Sequence, residues 1–273
     1  WTTHQVLLDQ NTPPEIAKTL SRTMVTFELA NFTPQLIIPL PGQELPSVDH
    51  GRKIRSGTAI YVSTSEAQFN ERRIASLEKG YFPRNELKDK KPFADERLVT
   101  AIQDELSMEA EISGSTRLLI AADRRLLFGA VLDTMYSAGK AGFTEFELIV
   151  ESPWPMKRAL PVKYSAPHSE FEGLTIEVAP DGFYLLRPGS KKRELIKKTG
   201  EPLDVSWEAF DAKALTKTVA KWRASKPSNQ TIRIRSADGM ELELAARTYS
   251  LLMDEGCDED GDCWVSAVTL ERL

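Results

Sequence analysis

The chain has 273 residues, of which 41% are hydrophobic and 27% charged, and its formal net charge is −5. These values are typical of a soluble globular protein that is long enough for two ordinary domains. The net negative charge argues against a nucleic-acid-binding surface, because the short basic runs at 191–193 and 197–198 are balanced by acidic residues.

The first 56 residues, 1–56, are predicted to be an extended, proline-rich lead-in rather than a domain. Prolines at 34, 39, 41 and 46 exclude a long helix there. The first ten residues lack the basic and apolar blocks of a signal peptide, and no stretch approaches the roughly 18 apolar residues of a membrane span. Since the chain begins at Trp1 rather than Met, we expect that a processed segment or a membrane anchor precedes it.

The next part, 57–152, is predicted to be a first domain of mixed strands and helices. β-Branched and aromatic residues indicate its strands, and apolar residues at helical spacing indicate its helices. In chain order the pattern predicts strands at 58–63 and 68–75, a helix at 98–106, a strand at 117–121, a helix at 128–139 and a strand at 145–150. Gly139 and Gly142 are predicted to end the second helix.

One stretch of this domain, 115–152, has a distinctive order of residues. An apolar strand ends in Ala122-Asp123, and then come an aromatic residue, a helix with Val and Met on its inner face, an Ala-Gly pair and a closing strand. The aromatic residue is Phe128, the inner-face residues are Val131 and Met135, the Ala-Gly pair is Ala138-Gly139, and the closing strand is 146–150. In this order of elements the stretch resembles the periplasmic domain of the ExbD/TolR family.

Prolines at 153, 155, 161 and 167 predict a linker at 153–171, and a second domain is predicted at 172–273. Its patterns repeat the earlier order, with strands at 174–178 and 183–186, a helix at 212–222, a strand at 231–235, a helix at 242–252 and a strand at 264–270. The chain is therefore predicted to be a tandem duplication. Its fold class is α+β, with two copies of a two-layer sandwich in which a small mixed sheet carries two helices on one face.

The two cysteines, Cys257 and Cys263, are predicted to form a disulfide. They close a short acidic loop, and their spacing is not that of a C-x-x-C motif. A disulfide would place the protein in an oxidising compartment, whereas two reduced thiols would suit a cytosolic loop. The acidic residues of 254–262 are interpreted as a solvated loop, with a weak calcium site as the alternative.

Asp123 and Asp238 are the candidate partner-binding residues, because each follows a strand and precedes a helix. The same position suits a structural role, in which the carboxylate accepts hydrogen bonds from N–H groups at the helix start, and we favour that role. The sequence lacks nucleotide-binding, serine hydrolase and paired-histidine zinc motifs. We therefore expect no enzymatic activity, no cofactor and no metal.

The ExbD/TolR resemblance implies the function. Members of that family carry an N-terminal membrane helix with a protonatable Asp, which sits inside a channel of the ExbB/TolQ/MotA type. Proton flow drives a change that the periplasmic domain transmits to a periplasmic protein or to peptidoglycan. The resemblance thus implies a homodimeric periplasmic domain, attached to the inner membrane by a helix absent from this chain, that serves transport, envelope integrity or motility.

Two other functions stay open on the sequence alone. The first is a periplasmic scaffold or peptidoglycan-binding module without a motor role. The second is a secreted hydrolase that uses a metal at the acidic loop.

Overall fold

The structure is a computed structural model. It describes residues 37–69, 72–82, 100, 104, 116–153, 157–165, 171–179, 182–190, 192–196, 211–225, 231–253 and 268–272. The predicted disulfide between Cys257 and Cys263 and the acidic loop lie outside the described residues. Of the helix expected at 98–106, only Thr100 and Asp104 are described, and both are helical.

Eleven strands and three helices have described bounds. The strands are β1 Thr58–Val62, β2 Glu66–Phe69, β3 Arg72–Ser76, β4 Arg117–Ala122, β5 Glu145–Glu151, β6 Lys157–Tyr164, β7 Leu174–Ala179, β8 Gly182–Leu186, β9 Glu194–Leu195, β10 Ile232–Ser236 and β11 Val268–Arg272. The helices are α1 Phe128–Ala141, α2 Ala212–Ser225 and α3 Leu242–Met253.

All eleven described strands belong to one mixed sheet, which confirms the predicted α+β class but not the expectation of a separate small sheet in each half. The strand order is β3-β2-β1-β4-β5-β6-β11-β10-β7-β8-β9. Along each strand alternate side chains face the helices, as the period of two requires. Those side chains and the apolar stripes of the three helices form one buried cluster that draws on both 57–152 and 172–273.

The first half of the chain (57–152) and the second half (172–273) show the same pattern of strand pairing. β1, β4 and β5 are parallel neighbours in the first half, as are β7, β10 and β11 in the second. One row of neighbours across the sheet consists of Thr58, Leu118, Phe146, Val162, Val268, Ile232 and Leu174. The pairing pattern is therefore symmetric about Val162.

β6 lies at the centre of the sheet although it falls in the stretch 153–171 that was expected to be a linker. It is antiparallel to β5 and parallel to β11, so it joins the two halves. Pro161 does not prevent this, because the described pairing with β11 begins one residue later, at Val162. The Pro161 carbonyl accepts a 2.5 Å hydrogen bond from the Tyr249 hydroxyl of α3.

The part of the predicted lead-in that is described, 37–56, is extended and packs on the sheet. Ile37 and Leu45 lie in a second apolar cluster on the face opposite the helices. Arg52 pairs with Ala159 of β6 through hydrogen bonds of 3.0 and 2.9 Å. The His50 N–H donates to the Ser250 hydroxyl of α3 over 2.9 Å. This segment therefore contacts elements of both halves.

α1 continues two residues beyond its predicted end. Gly139 is helical, and the helix ends at Ala141, with Gly142 as its C-cap at φ 115°. Only glycine adopts such a φ readily, so Gly142 rather than Gly139 stops the helix.

Candidate functional site

The turns that precede α1 and α3, at 123–127 and 237–241, dock against each other. The N–H of Phe128 donates to Met240 O, and the N–H of Leu242 donates to Leu126 O, each over 2.8 Å. A second pair has the same reciprocity, from Gly129 N to Asp238 O at 3.3 Å and from Glu243 N to Arg124 O at 3.1 Å. Each turn therefore both donates hydrogen bonds to the other and accepts hydrogen bonds from it.

These hydrogen bonds show which residues of the two turns occupy equivalent positions. Phe128 matches Leu242 as the first residue of its helix. Counting back from there, Asp123 matches Ala237, and Asp238 matches Arg124. Asp123 and Asp238 lie at neighbouring turns, but they are not equivalent positions of the two halves.

Asp123 does not cap α1, so that expectation is wrong. The N-cap residue is Leu127, and no side chain caps this helix end. The Asp123 carboxylate, only 1% exposed, instead accepts hydrogen bonds from the backbone N–H of Arg125 at 2.9 Å and of Glu44 at 3.2 Å. The Arg125 guanidinium adds two more contacts at 2.9 Å. Asp123 therefore fixes the turn and the segment that contains Glu44.

The surroundings of Asp123 lower its pKa. Burial acts in the opposite direction, but it is outweighed by the side-chain and backbone hydrogen bonds from Arg125, the backbone hydrogen bond from Glu44 and the positive charge of Arg125. The carboxylate is thus held in its ionised form in the folded protein.

Asp123→Asn is expected to be less stable than the wild-type protein at neutral pH, and the difference is expected to shrink in acid. A lowered folded-state pKa contributes stability that is complete above the ordinary value of 3.8 and is lost as the pH falls through the lowered value. The side-chain amide of Asn would place its own N–H groups against the N–H donors that bind the Asp123 carboxylate, at a cost of about 1–3 kcal/mol. Urea unfolding from neutral pH to about pH 2.5 measures both effects. Asp49→Asn, at an exposed carboxylate, is the control, and an Asp123→Asn difference that does not change with pH would contradict the assignment.

Asp238 takes part in an ion cluster between the two halves. Arg272, at the end of β11, lies 2.9 Å from Asp133 Oδ1 on α1 and 2.5 Å from Asp238 Oδ1. The side chain of Asp133 is 2% exposed and that of Arg272 10%, whereas that of Asp238 is 34% exposed. Arg272 therefore joins α1 to the second half by ion pairs. Of the two predicted site residues, Asp123 is buried and Asp238 is partly exposed to solvent.

A cleft opens on the helix side of the sheet, where the last turns of α1 meet the start of β5 and the end of β6. Its volume is about 480 Å³, which lies within the range of small-molecule pockets. Its apolar and aromatic lining consists of Met135, Tyr136, Phe146 and Tyr164, and exposed residues at its mouth are Gly139, Lys140, Thr144 and Lys163.

Two tyrosines set the chemistry of this cleft. The ring centroids of Tyr136 and Tyr164 are 5.4 Å apart, and Lys140 Nζ lies 5.5 Å from the centroid of Tyr136. The Tyr164 hydroxyl is buried without a hydrogen-bond partner among the residues that the structure describes. Burial, helped by the neighbouring Tyr136, raises the pKa of Tyr164 to about 12. Tyr164 is thus neutral, and the positive charge at the mouth comes from Lys140 and Lys163.

No family model, curated protein or solved structure matches this chain. Within the described ranges, no group of three or more His, Cys, Asp or Glu residues is arranged to hold a metal ion. No helix in that part of the chain is long and apolar enough to cross a membrane.

A row of ion pairs crosses the face of the second half that lies opposite the helices. Its members alternate in charge, in the order Arg193, Glu177, Arg235, Glu271 and Arg233. The side chains of Glu177 and Glu271 are only 3% and 0% exposed. Arg193 and Arg233 also stack on Tyr184 and Phe171, at 4.0 and 4.6 Å from the ring centroids. The same face of the first half combines an apolar cluster with a smaller ion-pair group, in which the buried Glu147 lies 3.0 Å from Arg52 and 3.7 Å from Arg117.

The cleft and the ion-pair row were not predictable from the sequence patterns. Tyr136 lies on the apolar stripe of α1, where helical spacing by itself indicates a core residue, and Tyr164 lies in the expected linker. Gly139 was expected to end α1, but its backbone is helical. A glycine inside a helix is unfavourable by about 1 kcal/mol relative to alanine and indicates a local need for space.

Proposed function

We propose that this chain is the periplasmic part of an ExbD/TolR-like subunit of an inner-membrane motor that is driven by the proton-motive force. In this proposal two copies of the family's periplasmic domain are fused in one chain, and together they transmit force to a periplasmic partner. The observation that carries the proposal is the repeated order and register of the strands, β1-β4-β5 and β7-β10-β11, around Val162.

The contact between the two turns supports the duplication. Reciprocal hydrogen bonds of this kind are what a symmetric homodimer makes across its two-fold axis. Here they join two parts of one chain, and β6 adds a strand that pairs with both. A fused pair keeps its halves together at any protein concentration, because their association is intramolecular. That property suits a part that must carry a load.

The charged residues support a binding role rather than catalysis. At the docked turns, Asp123 pairs with Arg125, and Asp133 and Asp238 pair with Arg272, so these charges hold the fold together. Among the described strands, β3 and β9 are the outer ones of the sheet, and in this proposal an extended peptide adds a strand to one of them. Asp238 stays a candidate partner contact because its side chain is one-third exposed.

The test uses the full-length protein that the gene encodes. We expect it to fractionate with the inner membrane and to co-purify with a channel subunit of the ExbB/TolQ/MotA type. Replacement of the protonatable Asp of its membrane anchor with Asn should abolish function without lowering the amount of protein. A matched Asp→Asn change at the exposed Asp49 should leave function intact.

Two results would overturn the motor role. One is recovery of the full-length protein as a free periplasmic species. The other is restoration of function in a deletion strain by the unanchored chain alone. Either result would favour a periplasmic scaffold or a peptidoglycan-binding module, and binding to isolated peptidoglycan would distinguish between these two.

A further inference from the structure

The cleft beside α1 exists because the two halves differ at one helical position. Gly139 and Met253 are both the twelfth residue of their helices, α1 and α3. Met253 is 1% exposed and fills its position in the second half. Gly139 is exposed, and a Cβ placed on it would meet its nearest described neighbour, Phe146 Cζ, only at 3.9 Å. The first half therefore leaves open a space that a side chain fills in the second.

The open space combines an apolar interior with a positive mouth. Met135 and Phe146, 0% and 8% exposed, form the deep part, with the tilted rings of Tyr136 and Tyr164 beside them. Aromatic and thioether surfaces of this kind favour a planar apolar group. Lys140 and Lys163, both exposed, lie at the mouth. Among the described lining residues of the cleft the charged ones are these two lysines, so the mouth favours an anion.

We propose that this cleft binds a small monoanionic amphiphile: an aromatic ring on a short chain that ends in a carboxylate. The ring would occupy the space beside Gly139 between Met135, Phe146 and the two tyrosines. The carboxylate would lie at the mouth between Lys140 and Lys163. This inference does not depend on the motor role, because it uses only the geometry and charge of the first half.

The probe is 4-phenylbutyrate, compared with 4-phenylbutanol and 4-phenylbutylamine, which share its apolar body. The protein is labelled with ¹³C at its methionine methyl groups, and its six methionines are followed by NMR. Titration with 4-phenylbutyrate should shift the Met135 signal through the ring current of the ligand. The signals of Met240 and Met253, which lie in the core, should stay in place. Met135→Leu assigns the signal, because that exchange conserves volume.

Two variants separate the contributions of shape and charge. Gly139→Met reproduces the residue of the second half and should abolish the Met135 shift, whereas Gly139→Ala should retain it. The double variant Lys140→Gln/Lys163→Gln should weaken 4-phenylbutyrate binding about fivefold at low salt and remove its preference over the alcohol, since each exposed ion pair contributes modestly. Lys217→Gln, at an exposed lysine of α2, is the matched control and should bind as the wild type does.

Four results would overturn the proposal. The first is a Met135 signal that does not move at millimolar 4-phenylbutyrate. The second is equal affinity for the carboxylate, the alcohol and the amine. The third is unchanged binding by the double lysine variant, whose substitutions are at the surface and leave the fold intact. Retained binding by Gly139→Met, with the core signals unchanged, would likewise place the ligand elsewhere.

Discussion

Replacement of Glu271 with Ala is expected to lower the free energy of unfolding by about 3–5 kcal/mol, because it leaves a buried charge without its partner. The Glu271 carboxylate is fully buried on the sheet face opposite the helices. It forms ion pairs with Arg233, which is 8% exposed, and with Arg235 at 2.9 Å. Burial lowers the pKa of the Arg233 guanidinium, and the charge of Glu271 opposes that shift. Each buried charge of the Arg233–Glu271 pair is therefore compensated only while the other is present.

A double variant distinguishes the loss of a charge partner from a simple loss of side-chain volume. Glu271→Leu combined with Arg233→Met removes both charges and keeps the space filled, so most of the lost stability should return. Glu194→Ala is the control, because its ion pair with Arg187 is more than half exposed on both sides and should contribute about 1 kcal/mol or less. Urea unfolding followed by circular dichroism measures all four proteins. A double variant as unstable as Glu271→Ala would show that the charge pair is not the cause.

Replacement of Val162 with Asp is expected to destabilise both halves together, by several kcal/mol. Val162 is 3% exposed and faces Phe146 of the first half and Val268 of the second. A carboxylate at this point would be buried between apolar neighbours without a partner. Because β6 pairs with β5 and with β11, the damage should spread to both sides of the sheet.

Hydrogen exchange of the backbone amides measures where protection is lost. In Val162→Asp, protection should fall in β4 and β5 and also in β10 and β11. Val162→Ile, which keeps an apolar side chain, should retain protection in both halves, and so should Lys163→Gln, because Lys163 is exposed one residue away. Loss of protection in only one half would show that the halves unfold independently and that β6 is not a shared element.

The local elements were largely predictable from the sequence. The apolar runs and helical stripes correctly indicated β1, β4, α1, β5, β7, β8, α2, β10 and α3, with ends that differ by a few residues. Side-chain period is a local property, so a single chain reveals it. The repeated order of these elements was visible for the same reason. The end of α1 was misplaced because Gly139 was interpreted as a stop signal, although its backbone is helical.

Long-range arrangement was not predictable in the same way. The stretch 153–171 has four prolines and was expected to be a linker, but β6 forms there because two strand edges, β5 and β11, are available to pair with it. The role of Asp123 also depended on a distant residue, since the carboxylate binds the N–H of Glu44 rather than a helix start. Hydrogen-bond partners that are far apart in the chain leave no periodic signal.

Composition and the order of strands and helices follow from the amino-acid sequence without coordinates, because each depends on neighbouring residues. The symmetric pairing about Val162, the docked turns and the cleft between Tyr136 and Tyr164 were decided by tertiary structure. Each of them joins residues of different elements. Burial, packing and charge pairing select such contacts among many that the same local patterns would allow.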